Sequence, residues 1–114
     1  MSVNYTWTLL PLYEEWDYFY TVSLEDVVYT IRIYYSERTK QWSMDLGYED
    51  GEMIGEGDVL LPYKAGLLGQ KAGLTGFFWL EPISFNNNET IINPELPGKY
   101  YRFYYIGNLE AVED

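Results

Sequence analysis

The sequence predicts an all-β fold, a small antiparallel β-sandwich or partly open barrel of six to seven strands with long loops. Aromatic residues make up 19% of the 114 residues, and aromatic side chains favour the pleated, half-buried surface of a sheet. Apolar and polar residues alternate with a period of two along several segments. No crossover helix of about 10–15 residues separates these segments, which disfavours an α/β fold.

The first half of the chain predicts an antiparallel meander of the strands 18–24, 27–35 and 41–48. Residues 6–12 (TWTLLPL) and 18–24 (YFYTVSL) are the first two predicted strands. Glu25 and Asp26 form a tight turn into the strand 27–35 (VVYTIRIYY). Alternation divides this strand into two faces, and we expect one of them to face the core, namely Tyr29, Ile31, Ile33 and Tyr35.

The meander continues through a charged turn at 36–40 (SERTK) into the strand 41–48 (QWSMDLGY). Trp42, Met44, Leu46 and Tyr48 share one face of that strand, which we expect to be its only packed face. Asp50-Gly51 supplies the positive φ of a hairpin turn. The strand 53–61 follows, and its glycines at 55 and 57 predict a bulge or a close approach of backbone.

The second half of the chain is richer in loops. Residues 63–76 carry four glycines and predict a short helical turn or an exposed loop. The apolar segment 77–83 (FFWLEPI) is the next strand, 84–99 a polar loop, and 100–107 (YYRFYYIG) the last strand. We expect one domain over 1–114 with extended termini at 1–10 and 107–114.

Charge and residue usage exclude several function classes. Seven basic residues against 18 acidic ones give a net charge of −11, so phosphate backbones and anionic membrane surfaces would be repelled. The chain has no Cys and no His, which removes thiol nucleophiles, Ser-His-Asp triads and His-type zinc sites. No apolar run approaches the roughly 20 residues of a membrane helix. We expect no enzyme, no cofactor and no metal.

An acidic cluster lies between residues 49 and 58, comprising Glu49, Asp50, Glu52, Glu56 and Asp58. A glycosidase pair would need two carboxylates across a cleft, one of them with a pKa raised by burial. The cluster also offers oxygen ligands for Ca²⁺, but it lacks the EF-hand spacing. A solvated hairpin explains the cluster more simply, and whether it binds calcium stays open.

Two aromatic features favour binding over catalysis. Trp16 lies among acids near a strand start and is the tryptophan we expect to be exposed, whereas Trp42 and Trp79 are expected to pack in the core. The last strand is aromatic on both faces, which indicates burial on both sides or contact with a partner. The predicted partner-contact residues are Trp16, Tyr100, Arg102 and Tyr104. A sugar-binding platform remains an alternative.

The order of these features resembles the small baseplate plug proteins of contractile-tailed cyanophages. The resemblance covers about residues 11–106 and is carried by strand and turn patterns. Its matching segments are 19–24, 29–35 and 100–106, and its matching positions include Ser36, Arg38, Trp42, Leu46, Asp50, Gly51, Ile54, Gly57 and Leu60. Because these patterns are structural, the resemblance implies no catalytic residues.

The resemblance implies a structural virion protein at the tail baseplate, made in the host cytoplasm. Such proteins sit at the central hub and close or organise the end of the tube. The expected partners are hub and tube-initiator proteins and the C-terminal end of the tape measure, with several copies in the virion. The alternative function is a carbohydrate-binding β-sandwich module, with or without calcium.

Overall fold

The computed structural model describes residues 5–83 and 101–108. Within these ranges, seven strands form two antiparallel sheets that do not close into a barrel, which confirms the predicted all-β sandwich. The strands are β1 (Tyr5–Leu10), β2 (Asp17–Leu24), β3 (Val27–Ser36), β4 (Gln41–Tyr48), β5 (Met53–Val59), β6 (Phe77–Pro82) and β7 (Tyr101–Asn108). A 3₁₀ helix at Leu68–Ala72 supplies the short helical turn expected within 63–76.

The predicted three-strand meander is confirmed as β2, β3 and β4, and β5 extends it to a four-stranded sheet in the order β2-β3-β4-β5. Leu24 pairs with Val27, so only Glu25 and Asp26 lie in the first turn. Both residues have positive φ, 53° and 70°. This is the pattern of a type I′ turn, whose twist matches that of the flanking strands.

The turn between β4 and β5 is a three-residue hairpin loop. The Gly51 N–H donates to the Tyr48 carbonyl at 2.9 Å, and the Tyr48 N–H donates to the Glu52 carbonyl at 2.8 Å. Gly51 has a φ of 96°, the left-handed conformation that closes a type I turn with a bulge. The hairpin predicted from Asp50-Gly51 is therefore confirmed.

β5 is bulged, as its glycines predicted. Met44 pairs with Asp58 and Leu46 pairs with Gly55, so β5 has one more residue than β4 between these pairs. Gly57 occupies the bulge with a φ of 74°. A Cβ at residue 55 would collide with Leu68 Cδ2, so Gly55 lets the 3₁₀ helix lie directly on the strand.

The three-stranded sheet has the order β1-β7-β6 and joins distant parts of the chain. Tyr5 pairs with Asn108 and Leu10 with Phe103. On the other side of β7, Phe78 pairs with Tyr105 and Leu80 with Phe103. Side chains directly opposite each other share a face, so these pairings separate an inner and an outer face.

The core lies between the two sheets. Its members are buried side chains from both sheets, including Ile31, Ile33, Trp42, Met44, Leu46, Phe78, Leu80, Tyr101, Phe103 and Tyr105. The expected core face of β3 is confirmed. The inward set of the last strand is Tyr101, Phe103 and Tyr105, whereas Arg102 is exposed and Tyr104 half-buried. The polar loop at 84–99 and Tyr100 lie outside the described residues.

Two expectations about packing are wrong. β4 was expected to pack on one face, but Ser43 and Asp45 on its other face are also buried. Asp45 is contacted there by the Tyr34 hydroxyl and the Gly57 N–H, which both donate to its carboxylate. Trp79 was expected in the core, but it pairs with Tyr104 on the outer face of its sheet and is half-buried. The first four residues of β6 are all apolar, so its sequence does not show which side chains point inward and which point outward.

A polar clamp ties the two sheets together at the first hairpin. The Glu25 carboxylate accepts hydrogen bonds from the Tyr105 hydroxyl and from the backbone and side chain of Thr75. The Tyr105 hydroxyl in turn accepts from the Gly76 N–H at 2.8 Å. Burial, and secondarily the hydrogen bond to Glu25, raises the pKa of Tyr105. We call these four residues the Glu25 clamp.

Among the described residues, no helix is long and apolar enough to span a membrane.

Candidate protein-interaction site

The outer face of the three-stranded sheet is largely aromatic. The strand registers place Tyr5, Trp7 and Leu9 of β1 beside Asn108, Ile106 and Tyr104 of β7, respectively. On the other side of β7 they place Phe77 beside Ile106 and Trp79 beside Tyr104. We call the set Tyr5, Trp7, Leu9, Phe77, Trp79 and Tyr104 the aromatic face.

The aromatic face is open to solvent along β1. Tyr5, Trp7 and Leu9 are 59%, 54% and 58% exposed. The ring of Trp7 meets that of Tyr104 edge to face, with centroids 5.1 Å apart. Aromatic side chains with large exposed area are typical of surfaces that bind another protein. The face therefore has the composition of an interaction surface.

The aromatic face continues over β6 toward the loop that follows β5. Trp79 contacts Phe77 with ring centroids 6.0 Å apart and Tyr63 at 6.1 Å, both edge to face. The Trp79 indole N–H donates to Glu81 Oε1 at 2.7 Å. These contacts hold the rings in fixed orientations, so a partner would meet a surface that is already ordered.

Charge is sparse on the aromatic face, in contrast to the chain as a whole. Arg102 of β7 lies directly opposite Glu81 of β6, and the two formal charges offset each other. The whole chain carries a net charge of −11. A partner that covers this sheet would therefore desolvate few ionised groups, which lowers the cost of association.

The structure distributes the predicted contact residues over two places. Arg102 and Tyr104 lie on the outer face of the three-stranded sheet. Trp16 lies just before β2, is 54% exposed, and stacks on Trp42 with centroids 5.8 Å apart and an interplanar angle of 11°. Tyr100 lies outside the described residues. The prediction that these four residues contact a partner stays a prediction.

The sequence reasoning missed the β1 side chains of the aromatic face. In YTWTLL the large residues Tyr5, Trp7 and Leu9 alternate with two threonines and Leu10. The pairing of Thr8 with Tyr105 and of Leu10 with Phe103 shows that Thr8 and Leu10 face the core. Alternation was a signal for two faces, but it did not indicate which of them is inward.

The structure places the residues that carry the family resemblance in the core and in the turns. Trp42 and Leu46 are buried in the core, and Arg38 is exposed in the turn between β3 and β4. Asp50 Oδ1 accepts a hydrogen bond from the Glu52 N–H at 2.9 Å, which orders the turn that contains Gly51. The Gly57 N–H donates to Asp45 Oδ1 at 2.8 Å.

A charged cluster lies on the outer face of the four-stranded sheet. The Arg32 guanidinium donates two hydrogen bonds to Asp17, from Nε at 2.9 Å and from Nη2 at 2.6 Å. It also lies 3.6 Å from Asp45 Oδ2 and over the ring of Tyr34. The bonds from Arg32 lower the pKa of Asp17. Burial, assisted by a hydrogen bond to Asp45, raises the pKa of Tyr34 to about 12.

Four of the acids between residues 49 and 58 lie in two places. Asp58 pairs with Lys64 at 3.1 Å, while Glu49, Asp50 and Glu56 line an open cavity with Phe19 and Met53. Across residues 5–83 and 101–108, no three acidic side chains converge in a way that could hold a metal ion. These acids also lack the buried pair across a cleft that glycoside hydrolysis needs.

Comparison with known proteins gives one family. The family model described as "Cyanophage baseplate Pam3 plug gp18" matches residues 8–108. The match runs from within β1 to the end of β7 and so includes both sheets. No curated protein matches the chain.

Proposed function

Because the chain belongs to the family of cyanophage baseplate plug proteins, we propose that it closes or organises the end of the tail tube at the central hub of the baseplate. Membership of the family makes it a structural protein of the phage baseplate, located in the virion and in contact with other baseplate proteins. The position at the hub and the closing of the tube are the proposed part.

The observation that carries the proposal is the aromatic face. Trp7 and Leu9 are both more than half exposed although they lie in a regular strand. Fully burying a side chain of this size contributes about 1.5–3 kcal/mol, and a partner that covers Trp7 and Leu9 would gain the roughly half of this that remains exposed. Such a face serves a permanent contact better than a transient one.

The proposed partners are the hub and tube-initiator proteins and the C-terminal end of the tape measure, in a contractile tail that holds several copies of the chain. The net charge of −11 supports a position near the tube lumen. Negative walls would repel the phosphate backbone of passing DNA and so keep it from adhering.

The proposed role involves no catalytic step. The chain has no His and no Cys, and its perturbed tyrosine pKa values result first from burial and from contacts inside the fold. Tyr34 bonds to Asp45 and Tyr105 to Glu25, so both hydroxyls serve the structure. A contact protein needs this rigidity, and it needs no group poised to transfer a proton.

A matched pair of exposed strand residues tests the proposal. Leu9 on the aromatic face is 58% exposed, and Val27, which lies in the other sheet, is 44% exposed. Leu9→Glu would place an unpaired charge in the contact, and we expect it to lower the amount of the protein in purified virions at least tenfold. Val27→Glu should leave that amount within twofold. Mass spectrometry of cross-linked virions measures both the amount and the neighbours.

Thermal melting of the purified variants verifies that both still fold. Normal incorporation of a folded Leu9→Glu variant would show that the aromatic face is not the contact. Cross-links to proteins remote from the hub and the tube end would refute the proposed position. Binding to glycans that is lost on Trp16→Ala, without any loss from virions on Leu9→Glu, would favour the carbohydrate-binding alternative.

A further inference from the structure

The outer face of the four-stranded sheet contains a groove that the proposed baseplate contact does not use. It has a volume of about 430 Å³ and lies over β3 and β4, on the side of the sandwich opposite the aromatic face. Its floor includes Thr30 and Gly47, which are directly paired. The small side chain of Thr30 and the lack of one at Gly47 leave the depression between taller neighbours.

The walls of the groove are apolar and exposed. Phe19 is 72% exposed and Met53 is 46% exposed, although both are strand residues. Phe19 lies opposite Arg32 in the neighbouring strand, and Met53 lies opposite Gly47. Two large apolar side chains beside an open depression indicate a place where an extended aliphatic group can pack.

The polar groups of the groove are mostly negative. Its lining contains four carboxylates, Asp45, Glu49, Asp50 and Glu56, and one guanidinium, Arg32. Arg32 is already engaged by two hydrogen bonds to Asp17. Within residues 5–83 and 101–108, neither Glu49 nor Glu56 takes part in an ion pair. The groove thus combines apolar walls with uncompensated negative charge at its rim.

We propose that this groove binds a basic side chain, arginine or lysine, presented by a partner protein. The methylene stem would lie in the depression over Thr30 and Gly47, flanked by Phe19 and Met53, and the cationic head would lie at the rim near Glu49 and Glu56. Both basic residues combine an apolar stem with a charged end, and a cation also gains from the face of an aromatic ring. Neither a wholly apolar nor an anionic group matches this combination.

The proposal does not depend on the baseplate role, because it concerns a different face and its test uses a small probe. The full chain, labelled with ¹⁵N, is titrated with N-acetyl-L-arginine methylamide, and amide shifts are followed by NMR. N-acetyl-L-citrulline methylamide has nearly the same shape without the charge. We expect saturable shifts at Thr30, Gly47 and Gly51 with the arginine probe and none with the citrulline probe.

Two charge-matched double variants distinguish the groove from the general acidity of the protein. Glu49→Gln with Glu56→Gln removes the rim charges, and we expect it to weaken probe binding about tenfold. Glu14→Gln with Glu37→Gln removes two exposed charges outside the groove and should weaken binding less than twofold. Phe19→Ala should weaken probe binding about threefold, because it removes the apolar side chain that flanks the groove.

Several results would overturn the proposal. Shifts that rise linearly without saturation would indicate no site, and equal shifts with the citrulline probe would remove the role of charge. Equal weakening by the two double variants would assign the binding to the overall charge of the chain. A high-salt titration adds a further criterion, because a contact with exposed carboxylates must weaken as ionic strength rises.

Discussion

Tyr105→Phe should destabilise the fold by about 2–4 kcal/mol through the Glu25 clamp. Tyr105 is 3% exposed, and its hydroxyl bonds to the Gly76 N–H at 2.8 Å and to the Glu25 carboxylate. The substitution would leave the Gly76 N–H buried and unsatisfied, which costs about 1–3 kcal/mol, and would remove a bond to a charged group worth about 1.5–3 kcal/mol. Because Glu25 keeps its bonds to Thr75, the two costs do not add fully.

The assay is urea denaturation at pH 7, followed by the fluorescence of the four tryptophans. The unfolding midpoint should fall while the slope with urea stays the same, since the surface exposed on unfolding is nearly unchanged. For a domain of this length, a loss of 3 kcal/mol corresponds to a melting temperature lower by roughly 12 °C. Circular dichroism can check that shift.

Tyr104→Phe is the matched control for this variant. It is the adjacent residue on β7, and its ring keeps the edge-to-face contact with Trp7. We expect Tyr104→Phe to change the free energy of unfolding by less than about 0.5 kcal/mol. If Tyr105→Phe were equally mild, the clamp would not contribute to stability. A double-mutant cycle with Glu25→Gln should give a coupling of about 1 kcal/mol, since the two groups share one hydrogen bond.

Two further predictions concern the backbone and the tyrosines. Lys40→Gly should stabilise the fold by about 1 kcal/mol, because Lys40 has a φ of 60°, which is costly for residues with a Cβ. Urea denaturation measures this with Thr39→Gly as the control, and an unfolding free energy that stays unchanged or falls in Lys40→Gly would contradict it. Burial raises the pKa values of Tyr18 and Tyr34 to about 12 from an ordinary value of 10.0. The stabilisation that these two tyrosines contribute should thus be fully present below pH 10 and be lost as pH rises toward 12. Unfolding free energies that stay constant across this range would refute the raised pKa values.

Most of the four-stranded sheet could be predicted from the sequence because each of its strands pairs with its neighbour in the chain. The alternation of Tyr29, Ile31 and Ile33 marks a strand with one core face, and the pairing of Ile31 with Leu46 confirms that β3 and β4 present their apolar sets to the same side. The turns were predictable from Asp50-Gly51, because few residues besides glycine adopt its φ of 96° readily.

The three-stranded sheet and its aromatic face could not be derived in the same way. β1 pairs with β7, nearly the whole chain away, and no local pattern reports such a pairing. Which half of YTWTLL faces inward depends on the sheet packed beneath it. Since Thr8 and Leu10 oppose Tyr105 and Phe103, the larger residues of β1 remain outside.

Polar contacts between distant segments left no local signal either. Glu25 is a turn residue by its position, and its bonds to Thr75 and Tyr105 span 50 and 80 residues. Its place in the alternation of β4 predicts that Asp45 faces solvent. The bulge at Gly57, however, brings a backbone N–H within 2.8 Å of its carboxylate. Asp45 can be buried because the Tyr34 hydroxyl and the Gly57 N–H donate hydrogen bonds to its carboxylate. These donors reach it only in the folded structure.

The pairing of β1 with β7 has a mechanical consequence for a protein in a tail baseplate. Tyr5 and Asn108 are direct partners at one end of an antiparallel ladder, and among residues 5–83 and 101–108 no strand other than β7 pairs with β1. A force that pulls these two residues apart therefore loads the ladder from its end and breaks its residue pairs one after another. The meander would bear none of this load until β1 had peeled away.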